Sequence, residues 1–128
     1  MNQKALTCLI THGSLACCLK NVAEKLITPA TDIYCFSNQE IALDEIQHAV
    51  EDLIAEQKPE KLILFVDLKG GSCWLLANRI KKQFGRVWIV AGVNVPMLVS
   101  YHMNYDRLPW PELIEKIVAD GKKGIAEQ

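Results

Sequence analysis

Blocks of apolar and polar residues alternate along the chain, and the spacing inside each block separates strands from helices. Ala5 to Thr11 is apolar with a β-branched close, which predicts a buried strand; it ends at His12-Gly13-Ser14, where Gly and Ser mark a turn and a helix cap. From Leu15 to Ile27 the residues Leu15, Leu19, Val22, Ala23 and Leu26 recur at three- and four-residue spacing, the pattern of one buried helical face, and Pro29 ends that helix. Asp32 to Phe36 reads as a second short strand and Ser37 to Gln39 as polar connection. Between Ala42 and Gln57, Ile46, Val50, Leu53 and Ile54 form an apolar stripe, while Asp44, Glu45, Glu51, Asp52 and Glu56 make the opposite face a solvated one. Lys61 to Asp67 has an apolar centre without alternation, as a central strand covered on both faces requires.

The second half repeats the scheme. Leu68-Lys69-Gly70-Gly71-Ser72 leads into a basic amphipathic helix carrying Trp74, Leu75, Ala77, Ile80 and Phe84 and ending near Gly85. Arg86 to Val93 is again almost wholly apolar, and Asn94-Val95-Pro96 turns into a short helix from about Met97 to Asn104. A final helix starts near Pro111 and carries Leu113, Ile114, Ile117 and Val118, with Gly121 and Gly124 breaking the tail. Strand and helix in regular alternation predict an α/β fold: a doubly wound, mainly parallel four-stranded sheet with helices on both faces. In such sheets functional groups collect beyond the carboxyl ends of the strands. That rule selects three loops: Thr11 to Ser14, Asp67 to Ser72, and Asn94 to Pro96.

With 128 residues, half of them apolar and 23% charged, the chain suits one globular domain over residues 1–128. Fourteen basic against fifteen acidic residues give a net charge of −1, so no electrostatic footprint for a nucleic-acid backbone or an anionic membrane exists. The apolar stretch from Ala5 to Ile10 is too short to span a bilayer. Five cysteines, Cys8, Cys17, Cys18, Cys35 and Cys73, form an odd set without CxxC spacing, the usage expected of reduced cytoplasmic thiols.

Two of the selected loops carry chemistry. His12 follows the first strand and precedes a helix whose free N–H groups and positive dipole end favour an anion. Histidine is a neutral nucleophile near physiological pH when one ring nitrogen is unprotonated and a partner holds the other as a donor. Asp67, at the end of the central strand, can supply that partner. Gly70, Gly71 and Ser72 then offer a turn of backbone N–H groups and a hydroxyl to a phosphate. Neither a nucleotide P-loop nor GxGxxG is present. Taken singly, a strand-end histidine is a structural residue, a strand-end aspartate a turn or cap former, and the domain a non-catalytic binding module. A metal reading that joins His12 to Cys8, Cys17 or Cys18 lacks the usual ligand spacing, and no metal is expected. His48 reads as solvated surface, His102 has no evident partner, and Trp74, Trp88 and Trp110 read as packing residues.

Thr11-His12-Gly13, Phe65-Val66-Asp67-Leu68-Lys69-Gly70-Gly71-Ser72 and Ala91-Gly92-Val93-Asn94-Val95-Pro96-Met97-Leu98, in this order, resemble the mannose-type enzyme IIA of the bacterial phosphoenolpyruvate-dependent sugar phosphotransferase system. The resemblance runs over nearly the whole chain. It implies a flavodoxin-like phosphocarrier in which His12 takes a phosphoryl group on Nε2 from the phosphohistidine of HPr, with Nδ1 facing Asp67. The group then passes to a separate IIB component serving a membrane IIC/IID complex. It further implies phosphate contacts from Gly13, Gly70, Gly71 and Ser72, no cofactor, and a homodimer built by exchange of a C-terminal strand, for which Gly121 to Gln128 is the available segment. The same resemblance accommodates a regulatory phosphorylation-state reporter or a phosphocarrier feeding dihydroxyacetone kinase. Cys73-Trp74, Leu76 and Ser14 depart from the commoner family pattern and are expected, with Tyr101, His102 and Tyr105, around the rim where protein partners dock.

Overall fold

In a computed structural model that describes residues 4–39 and 41–128, four parallel strands form one sheet with helices on both faces. The elements run β1 (Ala5–Thr11), α1 (Leu15–Leu26), β2 (Tyr34–Ser37), α2 (Leu43–Gln57), β3 (Lys61–Val66), α3 (Ser72–Phe84), β4 (Val87–Ala91), α4 (Val95–Asn104) and α5 (Glu112–Lys123). Strand order is β2-β1-β3-β4. Alternate residues of the central strands feed two cores, as period-two geometry demands. Leu9, Ile63 and Phe65 meet α1, α4 and α5 on one face, while Leu6, Cys8, Ile10, Leu62, Leu64 and Val66 meet α2 and α3 on the other. The uninterrupted apolar run of β3 is thereby explained.

This winding places a crevice between β1 and β3. The helix after β1 lies on one face and the helix after β3 on the other, so the two connections diverge at the carboxyl edge of the sheet. Register then fixes what stands there. Ile10 pairs with Val66, so His12 and Asp67 emerge side by side just beyond the two strands.

Several predicted details shift. Helix α1 buries Ala16 and Ala23, with Leu19 packed beside them, whereas Leu15, Val22 and Leu26 are exposed. Small residues let this helix lie close to the sheet and push the bulkier side chains to its shoulders, an effect that counting apolar positions does not register. In α3 the buried face is Cys73, Leu76, Ala77 and Ile80; Leu75 and Phe84 are exposed. Leu76 and Cys73 therefore belong to the core and not to a docking rim. Gly121 does not break the tail: α5 continues through it to Lys123, and a Cβ there would stand 2.9 Å from Met97 Cε. Glycine permits the close packing of α5 on α4 at that point. The segment expected to supply an exchanged strand is thus helical to Lys123, and residues 125–128 have no regular structure.

Tyr101, His102 and Tyr105 are also buried, not rim residues. His102 Nδ1 accepts a hydrogen bond from the Ala30 N–H at 3.1 Å, the partner its sequence context does not reveal. Burial pushes its imidazole down, against the pull of the Glu24 carboxylate. The Tyr101 ring packs edge-on against Phe65 and Tyr105. Its hydroxyl and that of Thr7 share a buried hydrogen bond of 2.7 Å. Tyr101→Phe leaves the Thr7 hydroxyl unpaired and is expected to lower unfolding free energy by about 1–3 kcal/mol. Adding Thr7→Val removes both hydroxyls and recovers most of that loss in denaturant titrations; additive losses would show that the hydrogen bond is not the cause.

Candidate active site

The imidazole of His12 is held on both of its nitrogens. Nδ1 lies 3.0 and 3.2 Å from the two oxygens of Asp67, and the His12 backbone N–H donates to Asp67 Oδ2 at 2.9 Å. A carboxylate cannot donate, so in the neutral imidazole this contact places the ring proton on Nδ1 and leaves a lone pair on Nε2. The Ser72 hydroxyl then donates to Nε2 at 3.1 Å. The His12 side chain is 44% exposed and that of Asp67 only 15%, so the ring is open to solvent while its anchor is sheltered. Partial burial pushes the Asp67 carboxyl up, but hydrogen bonds from the His12 backbone and ring, with the attraction of the ring in its protonated form, outweigh it and hold the group below the usual carboxylate range.

Each of these positions has a local cause. Thr11 is fully buried, and its Oγ1 accepts the Ala16 N–H at 2.8 Å, capping α1. Ser14, the predicted cap, makes no such bond. Gly13 turns the chain at φ +56, and its N–H donates to Asn38 Oδ1 at 3.1 Å while the Ser37 hydroxyl donates to its carbonyl. Gly70 has φ +87, and the Gly71 N–H donates to the Leu68 carbonyl at 3.1 Å. A Cβ at Gly71 would stand 3.4 Å from His12 Cε1, so glycine there lets the loop lie against the ring.

The sequence-selected residues His12, Asp67, Gly71 and Ser72 are brought together, with Gly13 and Gly70 shaping the two loops. The Gly13 and Gly71 N–H groups are engaged by protein acceptors, so neither is a free anion donor in this state. Helix α3, by contrast, begins at Ser72 without a side-chain cap on its first turn of N–H groups. Asn94 belongs to the packing: its oxygen accepts the Met97 N–H at 3.0 Å and its amide donates to the Gly121 carbonyl. Sequence reading missed Ser37 and Asn38 as supports of Gly13, although they too stand at a strand's carboxyl end, Ser37 closing β2 and Asn38 following it. It also missed Cys73, whose Sγ lies 3.9 Å from His12 Nδ1. Burial and the Asp67 charge push that thiol up to about 11, so it is a neutral group beside the ring. Cys8, Cys17 and Cys18, weighed earlier beside His12, are not the thiols gathered there; among the described residues the one group of three metal-capable side chains is His12, Asp67 and Cys73.

Fold and site together define a class: a flavodoxin-like α/β protein with an exposed, carboxylate-held histidine at the carboxyl edge of its sheet. Residues 7–118 match the EIIA-man family model, described as the PTS system fructose IIA component, and the chain belongs to that family of sugar phosphotransferase system IIA components. It is 31% identical over 118 residues to the PTS system mannose-specific EIIAB component of Escherichia coli strain K12, a match covering 90% of this chain and 36% of that protein. The counterpart from Shigella flexneri matches to the same extent. The chain thus spans about a third of the length of these curated relatives. In fold it is similar to phosphotransferase system component EIIA from Streptococcus agalactiae, with TM-score 0.85, 12% identity and 96% of each chain covered. The mannose/sorbose specific IIA subunit from Enterococcus faecalis gives TM-score 0.78 and 20% identity over 100% of this chain and 96% of its own. Among the described residues no helix is long and apolar enough to cross a membrane.

Proposed function

We propose that the protein is a phosphohistidine phosphocarrier that accepts a phosphoryl group from phospho-HPr on His12 Nε2 and delivers it to a IIB component during sugar uptake. The observation that carries this reading is the two-sided hold on a half-exposed His12 ring: Nδ1 against a carboxylate, Nε2 beside a hydroxyl. Phosphoryl transfer between two histidines needs positioning and charge stabilisation rather than a cofactor. The Nε2 lone pair forms the new N–P bond as the donor's N–P bond breaks and its electron pair returns to the donor ring. His12 keeps its proton on Nδ1 and becomes cationic, and the Asp67 carboxylate stabilises that charge. The Ser72 hydroxyl turns from Nε2 to a phosphoryl oxygen, with the uncapped first turn of α3 supplying N–H groups and a favourable dipole. Reversal of these steps delivers the group to the acceptor.

The test is intact mass after incubation with phosphoenolpyruvate, enzyme I and HPr, followed by site mapping under conditions that preserve phosphohistidine. One acid-labile phosphoryl group on His12 is the expected result. An unlabelled, folded protein in the presence of phosphorylated HPr overturns the assignment of donor and nucleophile. Ser72→Ala removes one hydrogen bond to the transferring group, so labelling is expected to persist on His12 and slow about tenfold. An unchanged single-turnover rate would reduce Ser72 to the first residue of a helix.

A further inference from the structure

The His12 ring has a third neighbour with no part in the transfer just described. Cys73 sits in the first turn of α3 with its side chain buried, and its sulfur approaches the same nitrogen that faces Asp67: Sγ is 3.9 Å from Nδ1, against 3.0 Å for Oδ2. One donor atom from each of His12, Asp67 and Cys73 falls within 4.8 Å of the others. A tetrahedral zinc centre, with bonds of about 2.0 Å to nitrogen and oxygen and about 2.3 Å to sulfur, holds its donors about 3.3–3.6 Å apart. The distances from Nδ1, 3.0 Å to Oδ2 and 3.9 Å to Sγ, bracket that spacing. The three donors come from the end of β1, the end of β3 and the start of α3, elements fixed by two packed cores.

We propose that His12 Nδ1, the Asp67 carboxylate and Cys73 Sγ form a binding site for a thiophilic divalent cation of the zinc class, with the fourth position open to water, and that metal binding and phosphorylation exclude one another. Imidazole and thiolate select this class; magnesium and calcium require more oxygen ligands than the one carboxylate offers. On binding, the metal accepts lone pairs from Nδ1, a carboxylate oxygen and the sulfur, and the thiol proton leaves to solvent. No redox change occurs. The single proton of the neutral imidazole moves from Nδ1 to Nε2, where it donates to Ser72 Oγ. Nε2 then has no lone pair with which to attack phosphorus. Conversely, a ring phosphorylated on Nε2 keeps its proton on Nδ1 and offers the metal nothing. The exclusion rests on the phosphocarrier reading; the metal site does not.

Cobalt(II) is the probe for the site, titrated into the reduced full chain. The expected result is a thiolate-to-cobalt band in the near ultraviolet together with tetrahedral visible bands, saturating at one equivalent and displaced by zinc. Cys73→Ser abolishes the near-ultraviolet band, and Asp67→Asn weakens cobalt binding at least tenfold, which keeps the test open should either variant fold poorly. Absence of the band from the unsubstituted protein, or its persistence in Cys73→Ser with the metal on Cys17 or Cys18, overturns the site. For the exclusion, one equivalent of zinc is expected to suppress His12 labelling at least tenfold at an unchanged level of phospho-HPr, with recovery on chelation and no zinc effect in Cys73→Ser. Labelling of the zinc-loaded protein at its metal-free rate overturns the exclusion. Failure of the phosphocarrier reading is distinguishable, since it shows as no labelling in the metal-free protein.

Discussion

His12→Ala is expected to fold as the parent does and to take up no phosphoryl group from phospho-HPr. The side chain is nearly half exposed and its backbone N–H keeps Asp67 as acceptor, so the change removes ring contacts without opening a core cavity. Its effect on stability is expected within about 1 kcal/mol, the range of partly exposed substitutions. Transfer should fall at least about a thousandfold, because no other histidine among the described residues has a carboxylate on one ring nitrogen. His48 lies on α2 and His102 is buried with Nδ1 engaged by Ala30, so neither takes over. The decisive measurement is the rate of acid-labile labelling by mass, with circular dichroism as the control of folding. Labelling of His12→Ala at the unsubstituted rate would place the phosphoryl group elsewhere and remove the nucleophile from this site.

Much of this site was legible because topology does work that sequence records locally. The blocks Ala5–Thr11 and Lys61–Asp67 announce buried parallel strands, and the rule that function lies beyond their carboxyl ends selects His12, Asp67 and the Gly-Gly-Ser turn together. The pairing of Ile10 with Val66, which makes His12 and Asp67 touch, is a property of the assembled sheet. What stayed hidden depends on rotation and on small residues. Helix α3 turns so that Cys73 and Leu76 point inward while Trp74 packs at the edge of the core and Leu75 faces out, because periodicity gives a helix its stripe but not the choice between adjacent stripes. Likewise Ala16 and Ala23 set the depth of α1, and Gly121 that of α5, although each carries little weight in a hydrophobic pattern. The supports at Ser37 and Asn38 stand at the end of β2, whose short and only partly buried strand gives a weak signal.

The charge on Asp67, as distinct from its shape, can be isolated by Asp67→Asn. Asp67 Oδ2 accepts both the His12 backbone N–H and the ring N–H, at 2.9 and 3.0 Å, so an amide with its oxygen in that position keeps both of these bonds and loses the charge together with the longer 3.2 Å contact of Oδ1 with Nδ1. With its net shift below the usual range, the carboxyl is fully ionised at neutral pH, and the loss therefore applies throughout a physiological assay. The ring gains a positive charge as Nε2 bonds to phosphorus. Loss of a carboxylate at this distance in a partly sheltered site is expected to slow transfer on the order of a hundredfold, equivalent to about 2.7 kcal/mol of transition-state stabilisation. Asp67→Ala removes the orienting bonds as well and should slow transfer on the order of a thousandfold or more. It also leaves the His12 N–H without its acceptor, for a stability loss of about 1 kcal/mol. Single-turnover rates with phospho-HPr in excess order the variants. Asparagine at the unsubstituted rate with alanine slow would make Asp67 a positioning residue alone; both at the unsubstituted rate would leave it a turn former and return the fixing of the His12 proton to solvent.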